Sequence, residues 1–143
     1  MHEGAGGLLG AHGKHGVQLR LAALALVLAG CASHRVAAVP AVHPNEQHVI
    51  AETQRFASLL GVHVRAVITT TVYMVPASKP NYPGEKVPAA GWYKDGRVMF
   101  YRPVIQARDQ AYGTRLAAHE ACHAKHHDEA EADACAATLL AAK

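Results

Sequence analysis

The stretch that constrains this chain most is His119-Glu120-Ala121-Cys122-His123, close to its C-terminus. Side chains four residues apart on an α-helix stand one above the other on the same face, so both imidazoles can reach a single ion. Glu120 lies beside the first histidine, where its carboxylate can meet a water held by that ion rather than the ion itself. Leu116-Ala117-Ala118 ahead of it are apolar and good helix formers, which places the pentapeptide inside a helix. A surface helix that happens to carry two histidines is the plain alternative in a chain with 11 of them.

Downstream, Glu129-Ala130-Glu131-Ala132-Asp133-Ala134-Cys135-Ala136-Ala137 reads as a second helix that brings carboxylates to the same neighbourhood. By their residues alone, Asp128, Glu129, Glu131, Asp133 and His127 are all open as a third ligand. Glu129 and Glu131 project about 200° apart on a helix, so only one of them can face the ion.

Together the two segments, about Leu116 to Leu140, resemble the gluzincin metallopeptidases, the thermolysin-like class of zinc hydrolases. The resemblance implies that His119 and His123 bind Zn2+, with Glu129 as third ligand and Glu120 as general base. Glu129 and Asp133 have the E-x-x-x-D spacing in which the aspartate braces a histidine ligand. In such sites zinc lowers the pKa of its bound water, and the carboxylate takes the proton as the water attacks a peptide carbonyl. Five residues separate His123 from Glu129, within the ordinary range of helix–helix connections.

The N-terminus reads as a targeting segment. Lys14 and Arg20 precede the apolar run Leu21 to Ala29, which is too short for a spanning helix of about 20 residues and has the character of a secretory h-region. Leu28-Ala29-Gly30-Cys31 resembles the bacterial lipobox. That implies a lipoprotein signal peptide over residues 1–31, lipidation of Cys31 and a tether over 32–44. Ala32 and Ser33 after the cysteine imply an outer-membrane anchor facing the periplasm. Residues 1–16 are rich in Gly and His and unlike an n-region, so translation is expected to start nearer Val17. In an oxidising compartment Cys122 and Cys135 are expected to be joined; two small buried thiols are the alternative.

Residues 45–143 remain for one small domain. The 14 Lys and Arg are scattered and aromatic residues make up only 6%, which argues against a nucleic-acid partner. A helix is expected from Asn45 as N-cap, with an apolar stripe of Val49, Ile50, Phe56, Leu59 and Leu60, closed by Gly61. Val62, Val64, Ala66, Ile68 and Val72 alternate with polar residues, predicting a strand from Val62 to Tyr73. Pro76 to Ala90 reads as a loop. Gly91–Tyr93 and Arg97–Tyr101 flank Asp95-Gly96, a hairpin whose Trp92 and Phe100 are expected to cover the core. By resemblance this hairpin supplies an edge strand that pairs with substrate backbone.

Pro103 should end the strand, and Asp109 should cap a motif helix from Gln110 to about Lys125. Asp128 and Glu131 should form a capping box on the next helix, while His43 and His48 should face solvent. The expected fold class is α+β: an N-terminal helix, a small mainly antiparallel sheet, the motif helix and a short C-terminal ligand helix. The expected function is a lipid-anchored zinc peptidase acting on a peptide or protein substrate. Two alternatives stand beside it, a non-catalytic zinc or copper binder and a purely structural envelope lipoprotein. The binder uses His119, His123, His126 and His127 on one face of an unbroken helix, so a break between Lys125 and Asp128 separates the readings.

Overall fold

A computed structural model describes residues 36–142. The expected signal segment, the lipobox and Cys31 lie outside the described residues. The domain is α+β, built from four helices and five short strands. No helix among the described residues is long and apolar enough to cross a membrane.

Helix α1 spans Pro44–Leu60. Its N-cap is His43, not Asn45. His43 is extended and its Nδ1 accepts from the Asn45 N–H at 3.2 Å, while Pro44 takes the first helical position, where its missing N–H costs nothing. Glu46 closes the box by accepting from the His43 N–H at 3.1 Å and the Val42 N–H at 2.8 Å. Asn45 turns outward instead and donates its side-chain amide to the Arg108 carbonyl. Gly61 ends the helix in the left-handed conformation, as expected. Leu59, counted in the apolar stripe, is 59% exposed and lies beyond it.

The sheet is smaller than its sequence pattern implies. Strands β1 (Arg65–Thr69), β5 (Arg97–Tyr101) and β4 (Gly91–Lys94) lie in that order, β1 parallel and β4 antiparallel to β5. Strand β1 covers only part of the expected Val62–Tyr73. Its register with β5 runs from Arg65 opposite Arg97 to Thr69 opposite Tyr101, where β5 ends and pairing stops. Its last three residues are all buried, so both faces are covered there and the alternation is lost. The proline-rich stretch is not all loop. Met74–Pro76 (β2) and Lys86–Pro88 (β3) form a separate antiparallel pair. Val39, within the expected tether, bridges Ile68 on the free side of β1, so chain ahead of residue 45 belongs to the folded domain.

Strand β5 runs straight into α2 (Arg102–Gln106), a single turn with Pro103 near its start that the sequence reading took only as a stop. Helix α3 (Gln110–Cys122) crosses α1, and Gly113 lets the two approach closely: a Cβ there would sit 2.8 Å from Val49. Helix α4 (Glu129–Ala141) packs on α3. Phe56, Cys122 and five alanines fill the helical core, whereas Val49, Ile68, Val98, Phe100 and Ile105 join helices to sheet.

Glu46 ties these parts together. Its fully buried carboxylate accepts from Arg102 Nε at 2.7 Å and Gln106 Nε2 at 2.9 Å. Burial alone would raise its pKa, but the Arg102 guanidinium, the two N–H groups and Gln106 outweigh it, and the carboxyl titrates below its ordinary value. Glu46→Gln should therefore cost about 2–3 kcal/mol at neutral pH, because Arg102 loses its partner. A depressed folded pKa gives stability that is complete above the unfolded value near 4.3 and lost as pH falls through the folded value. Urea unfolding of the two proteins should diverge at pH 7 and converge in acid.

Candidate metal centre

The site is built where α3 hands over to α4. Asp109 starts α3 by accepting from the Tyr112 N–H at 2.7 Å, as expected. The helix stops at Cys122, earlier than Lys125; His123 is its C-cap, and a tight turn carries the chain on to His126. The break separates the four histidines that an unbroken helix would align. His126 leaves the face and sits 3.4 Å from the Glu131 carboxylate, and His127 joins the cleft wall. Asp128 starts α4 by accepting from the N–H groups of Ala130 and Glu131, but Glu131 turns to His126 instead of completing the capping box.

This turn points Glu129, not Glu131, at the histidines. Its two carboxylate oxygens lie 3.2 Å from His119 Nε2 and 3.5 Å from His123 Nε2, and the two Nε2 atoms are 3.0 Å apart. A tetrahedral ion with ligand bonds near 2.1 Å holds its donor atoms roughly 3.4 Å apart, and the three separations bracket that spacing. His119, His123 and Glu129 form the group able to hold a metal ion among the described residues.

The far ring nitrogens fix the tautomers. His123 Nδ1 lies 3.0 Å from the His126 carbonyl, which can only accept, so Nδ1 carries the proton. His119 Nδ1 lies 2.8 Å from Asp133 Oδ1 and donates likewise to that carboxyl oxygen. The two Nε2 atoms then face one another across 3.0 Å, with the Glu129 carboxylate beside them. Such a grouping is held together by a positive charge, a shared proton or a metal ion among the three groups.

Glu120 is directed into the same space and is 5% exposed. Its Oε2 has no hydrogen-bond partner among the described residues. Burial, and secondarily the charge of Glu129, push its pKa up to about 8. A positive ion next to it would reverse that shift. Gly91 of β4 lies directly over Glu120: a Cβ there would meet Glu120 Cγ at 3.2 Å and the Phe100 ring at 3.1 Å. A side chain there would need Phe100 and Glu120 to give way by a few tenths of an ångström.

The cleft in front of the ligand group has a volume of about 1110 Å3, with β2–β4 on one side and α3 on the other. Strand β4 is its edge strand. Ala90 accepts from the Tyr101 N–H, so by alternation Gly91 and Tyr93 turn their backbone groups away from β5 and towards the open side. Trp92 is only half-buried; it lines the cleft with its ring stacked 5.4 Å from Tyr73, rather than covering the core as Phe100 does. His43 and His48 are structural, not simply solvated: one caps α1 and the other bonds Thr114 at 2.8 Å. Tyr112 and Leu116 in the cleft wall were missed by the sequence reading, although they precede His119 at helical spacing on the same face.

Cys122 and Cys135 are joined, with Cα atoms 6.0 Å apart, and they hold α3 to α4 between the ligands His123 and Glu129. The closed loop is short, and replacing both cysteines by serine should cost about 3 kcal/mol in urea unfolding. Comparison of the chain with protein-family models, curated proteins and solved structures gave no match in any of the three.

Proposed function

We propose that this chain is a zinc-dependent peptidase of minimal gluzincin type, held in the bacterial cell envelope by lipid on Cys31. The observation that carries the reading is the convergence of His119 Nε2, His123 Nε2 and the Glu129 carboxylate, with Asp133 behind His119 and Glu120 beside the group. Two imidazoles and a carboxylate with an open side form the donor set of catalytic rather than structural zinc, and zinc held there would supply a Lewis acid and a water of lowered pKa.

The chain's own residues do the rest. Asp133 and the His126 carbonyl hold the two rings in the tautomer that presents Nε2. Glu120 takes the proton of the attacking water and returns it to the leaving amine. Gly91 and Tyr93 offer backbone donors and acceptors to an extended peptide at the free edge of β4. Their support for a peptide substrate is geometric: an open sheet edge runs past the base. The lipid anchor and outer-membrane placement rest on Leu28 to Cys31 alone.

A non-catalytic binder built on four aligned histidines has less support, because α3 ends at Cys122. Metal analysis of purified protein should find one zinc per chain, and hydrolysis of an unstructured protein should stop on chelation and return with zinc. Stoichiometric zinc without any hydrolysis would overturn the enzymatic part of the reading. No zinc at all would overturn both parts.

A further inference from the structure

One charge in the cleft has no role in the chemistry above. Among the described residues Arg108 is the only arginine or lysine that lines the cleft. It has no carboxylate partner among them, although Glu46, Glu52, Asp109 and Asp133 are all engaged elsewhere. Its backbone is pinned on both sides: its N–H donates to the Ile105 carbonyl, and its carbonyl accepts from Asn45. Its guanidinium lies 5.2 Å from the centroid of the Tyr112 ring. A ring in that position braces a cation and leaves its N–H fork available to a planar anion.

Arg108 is thus a fixed cation of the cleft wall apart from the ligand group. Its guanidinium lies over Tyr112, whereas His119, His123 and Glu129 converge further along the same helix and its successor. Tyr112 precedes His119 by seven residues on one helix, about 10 Å at 1.5 Å per residue. An extended peptide covers that distance in about three residues. A carboxylate on such a peptide is attracted by the Arg108 guanidinium, which sets how far from the ligand group it is held.

We propose that Arg108, braced on Tyr112, is a specificity-determining residue that binds a substrate carboxylate about three residues from the bond at the metal centre. It selects short peptides by a free C-terminal carboxylate or by an acidic side chain at that distance. The assignment rests on the peptidase reading for the word substrate; the binding does not depend on turnover.

Trp92, the chain's single tryptophan, lines the same cleft, so its fluorescence reports occupancy. The test uses the full chain with Glu120→Gln to prevent cleavage. The probe is an acetylated alanine pentapeptide with a central phenylalanine, prepared as free acid, as amide, and as amide ending in glutamate. The acid should bind about tenfold more tightly than the plain amide at low salt, and Arg108→Gln should erase the difference. Arg108→Lys, a point charge without the fork, should retain part of it. The glutamate-ended amide identifies the source: binding like the acid admits side-chain carboxylates, and binding like the plain amide restricts recognition to the chain terminus.

Equal binding of acid and amide to the Glu120→Gln chain overturns the proposal, as does a preference that survives Arg108→Gln. Should Arg108→Gln fail to fold, the acid preference is compared at about 50 mM and about 500 mM salt, and a preference indifferent to salt is equally fatal. An intact acid preference in a chain whose zinc-loaded wild type hydrolyses nothing refutes the peptidase reading alone. Hydrolysis without any acid preference refutes Arg108 alone.

Discussion

Glu120→Gln should lower peptide hydrolysis by about three orders of magnitude while leaving one zinc bound per chain. The change keeps the shape of a side chain that is almost wholly buried and removes only its ability to take a proton. General-base catalysis is typically worth 10²–10⁴-fold, and a carboxylate in a dry pocket next to a cation belongs to the upper part of that range. Zinc content should not fall, because Glu120 is not among the three converging ligands. Folding should not suffer either, since Oε2 has no partner to lose and a neutral amide is easier to bury than a charge. Metal analysis and a hydrolysis assay on the same preparation read both halves. Hydrolysis at more than a tenth of the wild-type rate would remove Glu120 from the mechanism.

The ligand helix should show an equally sharp division. Glu129→Ala takes away the third donor and should weaken zinc binding by more than a hundredfold. Asp133→Ala leaves the donors but frees the His119 ring, and should weaken it 10–100-fold, the usual cost of losing such a partner. Glu131→Ala should leave affinity within a few-fold, because its carboxylate faces His126 and not the ligand group. Competition titration with a chromogenic chelator ranks the three variants. The reverse order for Glu129 and Glu131 would mean that the solution register of α4 differs by two residues.

The helical half of this molecule is legible in its sequence because its signals are local. The i, i+4 histidines, the Asp109 and Asp128 caps and the E-x-x-x-D spacing act within a turn or two of one helix. The pairing of Cys122 with Cys135 agrees with what an expected oxidising compartment and the cysteine count implied. What sequence misplaced depends on distant partners. Strand β1 is short because β5 is short, and nothing between Val62 and Tyr73 records that. Trp92 faces the cleft because Tyr73, nineteen residues earlier, stacks on it. Asn45 yields the cap to His43, whose N–H donates to Glu46, and its own amide goes to the distant Arg108 carbonyl. Gly91 reads as an ordinary strand start, and only the fold reveals Glu120 beneath it.

Helices α3 and α4 share one buried cluster in which Ala117, Ala118, Ala121, Ala132 and Ala136, none with a rotatable side chain, lie with Phe56 and Cys122. A seam of methyl groups cannot yield by changing rotamers, so each added carbon there must move backbone. The ligands sit on both walls of the seam, His119 and His123 on one and Glu129 on the other. Its tolerances are therefore those of the candidate metal centre itself. A larger residue at any of these five positions acts as a wedge, detuning the site from a distance with every ligand still in the sequence.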